Sequence, residues 1–489
     1  MNKRIVICAA LSLLVCCSMA QQPGGKKEKR EKPAGKQGGG GGNRGAYPPP
    51  AQGWKVATII LGCPEKDRIT MSIYPADDLE GYIEYGGKQT AVQPFPAKTP
   101  TQLTLTGLSA DTETTYRLRY RNPGESEFKT GPDYNFHTWR APGSPFVFEI
   151  QGDSHPERMG KQNDPVLYEQ TLLAVAKDRP DFFLCIGDDF SVDTLQDVNA
   201  ATVRQAYLKQ RPYFGLFAHS TPLFLVNGNH EQASRANLDG TADNVAVWAQ
   251  NSRNSLFPQP APDSFYSGDK EEVEHIGLLR DYYAWTWGDA LFVTIDPYWH
   301  SEQAVDNKFG GGDKRRDLWD ITLGAAQYQW LKKTLEESTA KYKFVFAHHV
   351  NGTGRGGIEN AGLYEWGGKG RGGQSEFKTK RPGWELPIHQ LMAKNKVTIF
   401  FQGHDHIFVR QKLDGVIYQT LPEPGDSNYA LYNADAYQSG EKFPNSGRVR
   451  VSVDPEKVQV EYVASRLPKD STAEHPDGEI IFKYDISSQ

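Results

Sequence analysis

Cysteine is scarce in this 489-residue chain: there are five, and Cys8, Cys16 and Cys17 fall within the first seventeen positions. Only Cys63 and Cys185 remain beyond them, far apart, with Cys185 inside the apolar run PDFFLCIGDD. That placement predicts two buried free thiols, not a disulfide. The apolar run near the start, residues 5–15, is too short for a comfortable membrane span. No GxxxxGK[ST] occurs, so the 48 glycines do not build a nucleotide-binding loop. A basic body is also missing. The chain carries net charge −5, and its clustered positive charge sits in the first fifty residues, which argues against a nucleic-acid grip by the rest.

What is present starts with an export pattern. Lys3 and Arg4 precede the short apolar run, and Ser18-Met19-Ala20 supplies a small-x-small cleavage site. Residues 1–20 are therefore expected to be a signal peptide that sends the protein to the periplasm or outside the cell, with no transmembrane anchor. Cys16 and Cys17 leave lipid attachment as an alternative. Residues 21–50 contain GGGGG and PPP, with seven basic and two acidic side chains. They read as a solvated linker whose positive charge can touch an anionic envelope surface.

Two patterns divide the remainder. Over residues 51–141 apolar and polar residues alternate, as in ITMSIYP, GYIEYG and TYRLRYR, with Gly, Pro, Asp and Asn turns between. A small antiparallel β-sandwich follows from that period. The stretch LTLTGLSADTETTYRLRYR resembles the strand E to strand F region of fibronectin type III domains, with Tyr116 at the corner-tyrosine position. Over residues 142–489 apolar strands alternate with helical stretches such as DPVLYEQTLLAVAKDRPD, the mark of an α/β domain. VRVSVD, VQVEYVAS and EIIFKYD then return to strands and are expected to finish a sheet edge.

Five apolar runs in that region end in ligand-type residues: FVFEIQGDSH, FFLCIGDD, LFLVNGNHE, FVFAHHV and VTIFFQGHDH. Open α/β sheets bind ligands beyond the carboxyl ends of their strands, so tips spread over about 250 residues can share one site. Asp153, Asp188 and Asn229 offer oxygen; His155, His348, His404 and His406 offer nitrogen. Mixed O/N donors without sulfur suit Zn, Mn or Fe. Seven ligands exceed one tetrahedral ion and fit two if a carboxylate bridges. Any one tip alone reads equally as a helix cap, a turn or a solvated strand end; the ordered set does not.

Taken in order, DSH, GDD, GNHE, HH and GHDH resemble the motifs of the calcineurin-like metallophosphoesterase superfamily over roughly residues 145–465, and a preceding β-sandwich resembles the layout of purple acid phosphatases. The resemblance implies a four-layer α-β-β-α sandwich and two divalent transition-metal ions. Asp153, His155 and His406 would hold the first ion, Asn229, His348 and His404 the second, and Asp188 would bridge them. His230 would face the substrate phosphate as the catalytic residue, and His349 would be the non-ligand of its pair. Glu231, next in the chain, could orient His230 or form a structural salt bridge. Purple acid phosphatases carry tyrosine where this chain has Ser191 and glycine where it has His155, so a compensating exchange and a centre without purple colour are expected.

The function so implied is hydrolysis of small phosphate monoesters by a hydroxide held between the ions. A phosphodiesterase of the same fold is the alternative, and an inactive surface-binding protein a more distant one. The Gly-rich residues 351–384 are expected to be a loop, either one that selects substrate, where Arg355, Lys369 and Arg371 could meet an anion, or a solvated flexible one. Trp299 and His300 are expected either to line the cleft or to pack in the ordinary way.

Overall fold

The computed structural model describes residues 47–303, 305, 317–352 and 354–488. The expected signal peptide and most of the linker lie outside the described residues. Among those described, no helix is long and apolar enough to cross a membrane.

Residues 57–137 form strands and no helix. Ala57–Gly62, Arg68–Pro75 and Thr101–Thr106 pair antiparallel in one sheet. Leu79–Tyr85 and Glu113–Arg121 pair antiparallel at the centre of a second. The period-two alternation explains the packing between them. Tyr116 and Leu118 point inward to meet Ile59, Met71 and Ile83. The intervening Arg117, Arg119 and Arg121 face outward and pair with Asp133, Glu84 and Glu80. Tyr116 departs from the corner-tyrosine expectation. Its hydroxyl donates to the His219 carbonyl at 2.6 Å, 103 residues downstream, instead of to a nearby loop.

Two larger sheets carry the rest. In the first, Phe146–Gln151, Phe182–Cys185 and Leu223–Leu225 run parallel, and Gly447–Val453, Lys457–Ala464 and Ile480–Ser487 extend them antiparallel. In the second, Ala290–Thr294, Tyr342–Phe346, Ile399–Gln402 and Val416–Thr420 run parallel, flanked by antiparallel neighbours. Strand parity sorts their side chains into layers. Phe148, Phe182, Leu184, Phe292, Phe344, Phe346 and Phe401 meet between the sheets. Phe183 and Cys185 face the other way, onto the helices Pro165–Asp178, Ala200–Phe214 and Val245–Leu256. Val293, Val345 and Phe400 likewise face Gly324–Glu337 and Ile388–Lys394. The result is the α-β-β-α order. The aromatic centre sets its cost of disruption: truncating Phe148, fully buried, would cost about 3–5 kcal/mol. Cys63 and Cys185 are both free thiols, Cys185 buried and Cys63 half-buried.

The Gly-rich segment 351–384 differs from expectation. It is not an open loop. Ala361, Tyr364, Trp366, Phe377 and Trp384 fold under the second helical layer and join its core. Trp384 stacks on Tyr328 with ring centroids 3.9 Å apart. Glycines diluted this apolar set in the sequence and hid its common face.

Candidate metal centre

The five strand tips turn abruptly, and the turns require unusual backbone. His155, Asp188, His404 and His406 all have positive φ, at 40°, 58°, 64° and 53°. For side-chain-bearing residues this left-handed conformation is costly and persists where surrounding contacts enforce it. Two glycines make the close approach possible. A Cβ on Gly187, whose own φ is 100°, would lie 2.6 Å from the Gly228 nitrogen, and one on Gly403 would lie 2.5 Å from Asp153 Oδ1.

The tips bring their polar groups into one buried cluster. Asp188 Oδ2 is 3.1 Å from His348 Nε2 and 3.8 Å from His155 Nε2. Asp153 Oδ2 is 3.0 Å from His406 Nε2 and 3.5 Å from His155 Nε2. His404 Nδ1 lies 3.3 Å from His348 Nε2, and the His404 backbone N–H donates to Asp153 Oδ1 at 2.7 Å. Asn229 sits between Gly228 and His230, whose backbone N–H donates to Asp188 Oδ1 at 2.9 Å. The Asn229 Oδ1 is buried with no hydrogen-bond partner.

Outer contacts decide which ring nitrogen faces inward. His348 Nδ1 donates to the Ile186 carbonyl at 2.9 Å, which leaves the Nε2 lone pair toward Asp188. His155 Nδ1 sits 2.8 Å from Glu157 Oε1. His406 Nδ1 faces Gln162 at 2.8 Å and Glu423 Oε1 at 3.3 Å. The inward Nε2 atoms of His155 and His406 are then 3.2 Å apart. Because the Gln162 amide N–H donates to His406 Nδ1, His406 Nε2 carries the proton and gives it to Asp153 Oδ2 at 3.0 Å, a place a cation would take. Four overlapping groups have ligand atoms within 4.8 Å of each other: Asp153, His155 and His406; Asp153, Asp188 and His348; His155, Asp188 and His230; and His348, His349 and His404, so His349 and His230 also stand at ligand distance. Buried Asp, Asn and His donors without sulfur suit divalent transition ions.

Charge in the cluster points the same way. Burial opposes ionisation of Asp188, yet His348 and His230 outweigh it and hold the carboxyl well below its usual range. Burial also disfavours a charged His348, but Asp188 and Asp153 raise it to about 10. The buried carboxylates thus draw positive charge into the site, as a proton where no cation is present. His404 goes the other way: burial, with His349 and Arg355 beside it, keeps it neutral.

Several contacts differ from those expected. Glu231 does not orient His230. Its carboxylate accepts the backbone N–H groups of Asp188, Asp189, Phe190 and Gly228 at 2.7–3.1 Å, which braces the Asp188 turn. Asp193 holds His230 instead, with Oδ1 2.7 Å from Nδ1. Arg355 is spent on Asp405 at 3.2 Å and on the His404 carbonyl. Lys369 and Arg371 are exposed, and no contact ties either to the cluster. Trp299 is core: it packs with the first helical layer, and its indole N–H donates to Gln250 at 3.0 Å. His300 turns to Asp281. Tyr298, one residue earlier, is the member of that run that reaches the site, its hydroxyl 2.9 Å from His349 Nδ1. His349 stacks behind His404 with centroids 4.0 Å apart. Arg158 was not singled out in the sequence; its Nη2 lies 3.4 Å from His230 Nε2. Its place three residues after His155 was the available signal. Glu423, in LPEPGDS, gave none.

Comparison with known proteins adds the family. Residues 150–408 match the calcineurin-like phosphoesterase family. The solved structure of PhoD is similar over 90% of this chain and 92% of its own, at 12% identity and a TM-score of 0.60. GAP50, described as the anchor in the inner membrane complex of Plasmodium, matches at 12% identity, 71% of this chain and 89% of its own, with a TM-score of 0.36. Phosphopantetheinyl hydrolase from Mycobacterium tuberculosis matches at 13% identity, 58% and 91%, with a TM-score of 0.28. No curated protein matches the sequence.

Proposed function

The chain belongs to the calcineurin-like phosphoesterase family and is a metal-dependent phosphoric ester hydrolase, and on that premise we propose that it is an exported phosphomonoesterase with a two-ion centre. Asp153, His155 and His406 would hold one divalent ion, Asn229, His348 and His404 the other, with Asp188 between them. The observation that carries the two-ion reading is Asp188. Its Oδ2 has His348 Nε2 on one side and His155 Nε2 on another, at 3.1 and 3.8 Å. A carboxylate in contact with imidazoles from both ligand groups is suited to bridging.

The ions, when bound, supply Lewis acidity toward the phosphoryl oxygens and the attacking water. The chain's own groups do the rest. His230 is half-buried at the edge of the cluster, its Nε2 3.7 Å from Asp188 Oδ2. Burial disfavours its charged form, but Asp188, then Asp193, overcome this and raise it to about 9. Were Asp188 to hold a cation, Asp193, 2.7 Å away, would be the carboxylate left to partner His230. Asp193 fixes Nδ1–H and points Nε2 outward, where it can hold or give a proton at the leaving oxygen. Arg158 beside it presents a second cationic donor to phosphate oxygens. Two such donors suit a dianionic monoester. Ser191 Oγ, 3.5 Å from His155 Nδ1, marks where a tyrosine ligand would approach. With His155 supplying the donor, no tyrosinate colour is expected.

The test is a paired assay. Full-length protein reconstituted with Mn, Zn or Fe is given an aryl phosphate monoester and the matching bis-ester, and bound metal is counted. Faster turnover of the monoester with about two ions per chain is expected. Preference for the bis-ester would make it a diesterase. Less than one bound ion together with no hydrolysis of either would leave a binding protein.

A further inference from the structure

A second set of ligand-type side chains lies outside the catalytic cluster and shares no residue with it. Asp269, Asp281 and His300 each offer one ligand atom, and the three atoms lie within 4.8 Å of one another. Asp281 is fully buried and Asp269 is 3% exposed. One oxygen of each carboxylate is engaged. Asp269 Oδ1 accepts the Glu271 backbone N–H at 2.9 Å, and Asp281 Oδ2 is 3.3 Å from His300 Nε2. The other two, Asp269 Oδ2 and Asp281 Oδ1, are buried without any hydrogen-bond partner.

Among the described residues, nothing basic besides His300 balances them. Among the described residues no lysine or arginine pairs with either carboxylate, and Arg235, which reaches this loop, is spent on Glu271 at 2.8 Å and the Trp299 carbonyl at 3.1 Å. A third carboxylate, the fully buried Asp296, stands close enough that burial and then Asp281 push it up to about 6. Burial and Asp281 do the same to Asp269. Buried carboxylates left unpaired are neutralised by a proton or by coordinating a metal.

We propose that Asp269, Asp281 and His300 bind a further divalent cation, separate from the catalytic centre. Two carboxylates and one imidazole select the Zn2+ or Mn2+ class, not a thiolate-loving ion. Asp269 Oδ2 and Asp281 Oδ1, which make no hydrogen bond, are the free donors, with the Tyr282 hydroxyl beside Asp269. The ion ties the loop at Asp269 to the turn at residues 296–300. That turn leads to the catalytic tips by two routes. Asp296 accepts from Asn227 Nδ2 at 2.7 Å, two residues before Asn229, and it also accepts the backbone N–H groups of Tyr298 and Trp299 at 2.6 and 3.1 Å. Tyr298 in turn meets His349. The cation is thus a fastener behind the active site and touches no substrate.

The measurement is metal stoichiometry of the full-length protein, stripped with chelator and reloaded with Zn2+ or Mn2+ alone, with thermal midpoints recorded in parallel. Asp269→Asn and His300→Gln should each bind one ion fewer than the parent and lose part of the cation-induced rise in midpoint. In the stripped state Asp269→Asn should melt no lower than the parent, because a buried repulsion has been removed. Asp153→Asn/Asp188→Asn, which weakens the catalytic centre but keeps its histidines, should still bind one ion that is lost when His300→Gln is added to it. That added arm assigns the remaining ion to this site, and it stands even where Asp269→Asn does not fold. An unchanged ion count in both single variants, or no ion on the double catalytic variant, would overturn the proposal in favour of a shared proton.

Discussion

The two halves of the catalytic cluster are built from the same residue types and backed differently. In the half with Asp153, His155 and His406, the outer nitrogen of His155 meets Glu157 at 2.8 Å, and that of His406 meets the Gln162 amide at 2.8 Å with the Glu423 carboxyl 3.3 Å away. In the half with Asn229, His348 and His404, the backing is the Ile186 carbonyl at 2.9 Å and the stacked ring of His349. Carboxylate backing makes an imidazole a stronger donor, whereas a carbonyl mainly fixes its tautomer. Burial, with Asp153 and Asp426 beside it, pushes the Glu423 carboxyl up, and a cation between Asp153 and His406 would relieve that push. On the two-ion reading proposed above, the first half would suit the more tightly held ion and the second a more exchangeable one.

The largest effect is expected where the halves meet. Asp188→Asn should lower turnover of an aryl phosphate on the order of 10³-fold or more, since it weakens both ions at once. Metal analysis should show loss from both positions; loss from one alone would mean that the halves are independent. His230→Ala comes next, with a fall in kcat of about 10²- to 10³-fold and unchanged metal content. A drop in bound metal there would place His230 inside one half instead of at its edge.

The sequence made the strand tips legible because their geometry is local. A buried strand ending in glycine and a polar pair leaves few places for Asp153, Asp188 or His404 to go. The period-two run TYRLRYR was equally plain, since alternation alone puts Tyr116 and Leu118 inward. What the sequence hid depends on tertiary approach. Glu423 and Asp193 become partners of His406 and His230 only when separate segments meet. Glu231 looked like a neighbour of His230 because it is adjacent in the chain, yet it serves four backbone N–H groups across the Asp188 turn. Residues 351–384 hide their fold for a compositional reason: glycine outnumbers the aromatics there, but Tyr364, Trp366, Phe377 and Trp384 share one buried face.

The sharpest probe of the contrast is its backing. Glu157→Gln and Glu423→Gln keep the shape and remove the charge, so each should weaken the first-half ion by about 10- to 100-fold. The reading is a competition titration with a chromophoric chelator, in which one class of site weakens and the other does not. Equal weakening of both classes would erase the distinction between the halves.

The smallest effect belongs to His349. Its Nδ1 meets the Tyr298 hydroxyl, its ring lies parallel to His404, and burial, with His348 beside it, keeps it neutral. It packs against a ligand, so His349→Gln should retain the stack's volume only in part and shift the second-half affinity by less than about 10-fold. Its buried Nε2 has no hydrogen-bond partner, which leaves one way for the residue to matter more. If His349→Gln empties the second half while His348→Gln leaves it filled, the ligand of the HH pair is His349, and the neutral backing assigned to His404 becomes a coordination bond.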